Sequence, residues 1–138
     1  MTTKQWLRRA RGIDREIDAL IEAKEQELAR LLSITAKLTG ETVTSTKDPH
    51  KFDHLVELDN LIDRKIDELA ATKAEIITAI YRLKDGRYRT VLLEYYVNMK
   101  TFAQIAEQMG HSERHITRLH GHALIALGGI NGKDTRSD

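Results

Sequence analysis

With 138 residues, the chain can hold one core, or a small domain joined to an elongated element, and is too short for a catalytic cleft between two lobes. Charged residues make up 31% and aromatics 5%, with a single Pro, a balance that favours long solvated helices and an all-α fold. A net charge of +1 advertises no general attraction to nucleic acid, and the lack of Cys excludes disulfides, thiolate zinc sites and cysteine nucleophiles.

The amino-terminal run MTTKQWLRRARGIDREIDAL is too polar for a signal peptide, and no later segment approaches the ~20 apolar residues of a membrane span. A soluble protein without a membrane partner is expected. Apolar residues recur every three or four positions as Trp6, Ala10, Ile13, Ile17, Leu20, Leu31, Ile34 and Leu38, with Lys24 and Glu27 in the same series. This spacing predicts one stripe along a long helix. Leu55, Leu58, Ile62, Ile66, Leu69, Lys73, Ile76, Ile80 and Leu83 predict a second.

Between them, TGETVTSTKDPHKF carries Gly40, a Ser/Thr cluster and Asp48-Pro49, which are turn signals. They place a loop at 39–53. Both stripes are buried at once if the helices fold back as a long antiparallel helical hairpin, a coiled coil over residues 1–84. Leu38 then lies near Leu55, and Ala10 near Leu83. Lys24 and Lys73 fall mid-hairpin, where each stem lies in the seam and each ammonium reaches towards a carboxylate.

Gly86 in LKDGRYRT breaks the second helix, and RTVLLEYYVN predicts a short helix with Val91, Leu92, Tyr95 and Tyr96 inward. In MKTFAQIAEQMGHSERHITRLHGHALIAL, Thr101 and Gln104 make a capping box, Gly110 stops that helix, and Ser112 caps the next. Ala106, Gly110 and Ile116 stand at the offsets a helix-turn-helix requires. They supply a small residue at the helix crossing, one tolerant of positive φ in the turn, and a branched anchor on the second helix. Ile105, Met109 and Leu119 add core contacts, and Ala123, Leu124 and Leu127 continue the buried side. Residues 85–128 are therefore read as a three-helix DNA-binding domain, and 129–138 as a flexible tail.

In that domain the recognition helix is 112–122, and Glu113, Arg114, Thr117 and Arg118 point away from the anchors. Arg suits guanine, Glu suits cytosine, and Thr suits a thymine methyl or a phosphate. Thr101 and Ser112 place helix N-termini where N–H groups meet phosphate, with Arg87, Arg89 and Lys100 as further charge. His115 and His120 are the histidines expected beside DNA. From Lys84 onward eight Lys/Arg stand against six Asp/Glu, so any basic surface is local.

The run HSERHITRLHGH does not make a metal site. His111 lies off the helix, His115 and His122 are seven apart, His120 falls on another face, and no His-Glu-x-x-His arrangement occurs. Carboxylates occupy outer faces beside Lys and Arg, without a Gly-rich phosphate loop or a Ser in a strained turn. No catalytic residue, metal or cofactor is assigned, and the chain is read as a non-enzyme.

Residues 87–127 resemble region 4 of bacterial sigma factors, and still more the small phage and prophage regulators of the RinA type. The resemblance is carried by Tyr95-Tyr96, Ile105-Ala106, Gly110-x-Ser112, Ser112-Glu113-Arg114-His115 and Ala123-Leu124, with Phe102 where that family often has Trp. It implies a coiled coil preceding a sigma-region-4-like helix-turn-helix, transcription regulation in a bacterial host cytoplasm, and double-stranded DNA as partner, with RNA polymerase as a second. A homo-oligomer, with a dimer favoured, fits the long helices. Two other classes stay open: a DNA packaging component resembling a small terminase subunit, and a protein-only module that binds polymerase or a sigma factor.

Overall fold

Helix-forming sequence and 3.6-residue periodicity account for the α-helices among the described residues. The computed structural model describes residues 1–37 and 50–131, and it is all-α. The elements are α1 (Thr3–Lys37), α2 (Asp53–Ile80), α3 (Gly86–Leu92), a π-helical segment (Leu93–Val97), α4 (Phe102–Met109) and α5 (Glu113–Asn131). Most of the expected loop, 39–49, together with Leu38 and positions 132–138, lies outside the described residues. Helix α5 runs three residues past the expected end at 128, through Gly129 to Asn131. Leu124 and Leu127, both buried, hold its last turns in place.

The chain divides into two compact units, Asp14–Glu68 and Met1–Ile13 with Leu69 onward. In Asp14–Glu68, α1 and α2 run antiparallel, for Lys24 pairs with Asp59 while Lys65 pairs with Glu16 at 3.2 Å. Ile17, Leu31, Leu55 and Ile62 are buried between them. Lys24 thus behaves as its place in the stripe implies: its stem is half-buried and its ammonium meets a carboxylate.

The α2 stripe departs from expectation at two steps. Ile66 is 47% exposed, and half-buried Lys65 holds the seam position, 3.2 Å from both Glu16 and Glu68. These two carboxylates hold the Lys65 pKa above its ordinary value, Glu16 foremost. Farther along, Thr72 is buried and Lys73 only partly so. The seam keeps a strict alternation of three and four residues through 58, 62, 65, 69, 72 and 76. Hydrophobicity alone favours Ile66; the heptad geometry selects its neighbour.

In the other unit, Leu7 and Ala10 of α1 pack with Ile76, Ala79 and Ile80 of α2 and with Leu92, Tyr96, Ala123, Leu124 and Leu127. Complete burial of a side chain such as Leu7 or Ile76 stabilises by roughly 1.5–3 kcal/mol. Arg9 pairs with Glu75 at 2.8 Å, so Ala10 stands at the level of Ile76. The expected alignment with Leu83 is displaced by about two turns, although both side chains line this core. That alignment took its register from Leu38 opposite Leu55, whereas the Arg9–Glu75 pair sets the level within this unit.

Carbonyls beyond the end of α2 find a partner in Arg89, whose Nη1 donates to the oxygens of Leu83 at 2.8 Å and Lys84 at 3.1 Å. Gly86 opens α3 instead of ending α2, and Asp85 caps it by accepting from the Arg87 N–H at 2.8 Å. This arrangement sets the three-helix portion against α1 and α2 within one core.

Candidate nucleic-acid interface

Two short helices joined by a three-residue turn form the centre of the site. Thr101 starts α4 with a reciprocal capping box: its Oγ1 accepts from the Gln104 N–H at 3.1 Å, and its own N–H donates to Gln104 Oε1 at 2.9 Å. Gly110 ends α4 in the left-handed region, at φ 72 and ψ 32, and His111 N–H returns to the Ala106 oxygen at 2.9 Å. Only a residue without a Cβ enters that region without cost. Ser112 starts α5 by accepting from the His115 N–H at 3.0 Å.

Ala106, Ile105, Ile116, Leu119 and Val91 close over this turn as a second buried cluster. The three residues that defined the motif in the sequence therefore have the roles their spacing implied. Ile116 is fully buried and Ala106 nearly so, and this fixes which face of α5 turns outward. Glu113, Arg114, Thr117 and Arg118 are exposed on it. Thr117 Oγ1 donates to the Glu113 carbonyl at 3.1 Å, which holds its rotamer. Gly121 and exposed Ile125 extend the line of Arg114 and Arg118 at helical spacing, and neither was singled out from the sequence. Their signal in the sequence is the continuation of three- and four-residue steps from Arg114 and Arg118.

The histidines separate by environment. His115 is half-buried, with its ring 4.5 Å from that of His111. Partial burial, followed by the electrostatic influence of neighbouring His111 and the positive charges of Arg118 and Arg87, holds its pKa below the ordinary value. His120 leaves the expected DNA face: it is buried, with Nε2 2.7 Å from the Tyr96 hydroxyl and its ring near those of Tyr95 and Phe102. Burial, then the charges of Lys4 and Arg8, push its pKa down to about 4. Position 120 lies about 40° around the helix from Ile116, at 100° per residue, and so points into the core.

The flanking cations also divide. Lys100 is held by Glu94 at 3.1 Å and Gln108 at 2.6 Å, and Arg89 by the carbonyls after α2. Glu94 in turn accepts from Asn98 at 2.8 Å and Gln108 at 2.5 Å. These partners, Asn98 foremost, keep its carboxyl below the usual range. Lys100 and Arg89 thus brace the connections into α3 and α4. Arg87 is bound to Asp85 at 3.2 Å yet remains exposed and close enough to His115 to act on its charge.

Residues 66–127 match the family model described as Sigma-70, region 4. The chain carries a sigma-70 region 4-like helix-turn-helix. The matched segment spans the second half of α2 and α3 through the buried part of α5, and includes every residue of the turn and outward face described above. Compared with curated proteins and with solved structures, the chain finds no match. Among the described residues, no three of His, Asp and Glu gather as metal ligands, and no helix is long and apolar enough to cross a membrane.

Proposed function

We propose that this protein is a sequence-specific DNA-binding transcriptional regulator, with α5 as the recognition helix. The observation that carries the reading is the outward line of Arg114, Thr117 and Arg118, held opposite buried Ile116 and Leu119 in a region 4-like domain. A helix presented this way fits the major groove, where Arg pairs bidentately with guanine and each good pairing contributes about 1–3 kcal/mol of discrimination. Glu113 suits a cytosine amino group. The helix starts at Thr101 and Ser112 turn N–H groups towards the backbone, where phosphate oxygens fit.

The phage or prophage type of regulator is supported by the resemblance of residues 87–127, and contact with RNA polymerase by that same likeness. A homo-oligomer, with a dimer favoured, is the assembly that fits the long helices. The role is one of binding rather than catalysis. Selection of bound fragments from randomised duplexes, followed by footprinting, tests the reading. A preferred site with major-groove protection over about one helical turn is expected. Retention of polymerase with no retention of DNA at low salt would move the same surface to a protein partner.

A further inference from the structure

Beyond the helix-turn-helix, the first turns of α1 carry a basic line of their own. Lys4, Arg8 and Arg11 follow at steps of four and three, and so share one helix face. The Arg11 end of that line is fixed: Nη1 donates to the Tyr95 carbonyl at 2.5 Å, and the guanidinium lies 4.2 Å above the Tyr95 ring. Tyr95 in turn stands against His120 on α5, with ring centroids 5.5 Å apart. Leu7 and Ala10, on the inner face of the same turns, pack in one core with Ala123, Leu124 and Leu127. The line of basic residues is therefore seated beside α5 by a packed core and a directed hydrogen bond.

Its two outer members face solvent without compensation. Arg8 is exposed and Lys4 half-exposed, and among the described residues neither is paired with a carboxylate. Three carboxylates of this unit are engaged by other cations, Glu75 by Arg9, Asp85 by Arg87 and Glu94 by Lys100. The field of Lys4 and Arg8 reaches His120, which lies about 40° to one side of Ile116 on α5. On the other side, about 100° from Ile116, His115 feels Arg87 and His111. Helix α5 thus has Arg87 of α3 towards its His115 side and Lys4 and Arg8 of α1 towards its His120 side.

We propose that Lys4 and Arg8 form an accessory phosphate clamp, binding the DNA backbone beside the groove that α5 enters. A helix lying in a major groove has a sugar-phosphate strand on either side, and cations on both flanks would fix its depth and register without reading sequence. The inference rests on the DNA-binding reading of α5 and adds an element from outside the helix-turn-helix.

The experiment uses the full chain, the selected duplex and a scrambled duplex, with affinity measured across a salt series. Lys4→Ala/Arg8→Ala should weaken binding to both duplexes by similar factors and lower the slope of log K against log salt by up to about 2, near 0.9 for each phosphate no longer neutralised. Sequence preference should persist, and restoring charge with Lys4→Arg/Arg8→Lys should restore the slope. Thermal unfolding of the double variant checks that α1 stays docked, since that is held by Leu7, Ala10 and Arg11. An unchanged slope with wild-type preference would overturn the clamp and leave the α5 reading intact. Loss of preference with an unchanged slope would also overturn it, and wild-type protein that retains no DNA at low salt would overturn both.

Discussion

The Tyr96 hydroxyl lies 2.7 Å from Nε2 of His120, joining the π-helical segment to the middle of α5 within the core. The pair works with a neutral imidazole, and burial keeps it neutral by pushing the His120 pKa down to about 4. In the unfolded chain the ring titrates near 6.5, so between these values the unfolded state binds more protons than the folded one. Stability is then complete above about pH 6.5 and falls as pH drops towards 4, by about 2 kcal/mol at pH 5 and roughly 3 kcal/mol at most. Urea melts at pH 7 and pH 5 should show this loss, and His120→Phe should remove most of it. An equal pH dependence in that variant would mean other groups cause it.

Removing the hydroxyl alone, in Tyr96→Phe, leaves a buried ring nitrogen without its partner. A cost of about 1–3 kcal/mol is expected from that desolvated group. Denaturant unfolding at pH 7 measures it. A loss near zero would mean that water replaces the phenol.

Gly110 is a second sharp test, because its constraint is conformational rather than steric. A Cβ there would meet nothing within 4 Å, yet φ is +72. Gly110→Ala should destabilise by about 1–2 kcal/mol, and Gly110→Asn by less, because Asn tolerates the left-handed region. If Ala and Asn prove equally damaging, the left-handed turn is not the cause.

The departure of α2 from its apolar series gives a prediction about register. Ile62 is 8% exposed and Ile66 47%. Ile62→Ala should therefore cost about 2–5 kcal/mol, and Ile66→Ala should stay within about 0.5 kcal/mol. Comparable losses at the two sites would return Ile66 to the seam.

Local signals were legible where one residue type has one physical use. Thr101 with Gln104, Gly110 in the turn, Ser112 at a helix start and Ile116 as anchor were all readable, since caps and left-handed turns depend on near neighbours. Long-range geometry was less so. The choice of Lys65 over Ile66 depends on the facing helix and its Glu16, and the Ala10 level on the pairing of Arg9 with distant Glu75. His120 carries no local mark of burial; its polar ring is satisfied by Tyr96, brought to it by the π-helical segment. The outward arginines could be inferred by subtraction from the anchors, but the approach of Lys4 and Arg8 from the other end of the chain could not.

The central claim is that the outward face of α5 reads DNA sequence through Arg114 and Arg118. Its most direct measurement is the binding of the Arg114→Ala/Arg118→Ala protein to the selected duplex and to a scrambled one at a single fixed salt concentration. The account predicts that the preference between them falls by about 2–6 kcal/mol when two guanidinium groups no longer reach base edges, with unfolding unchanged because both side chains are exposed. An unaltered preference would contradict it.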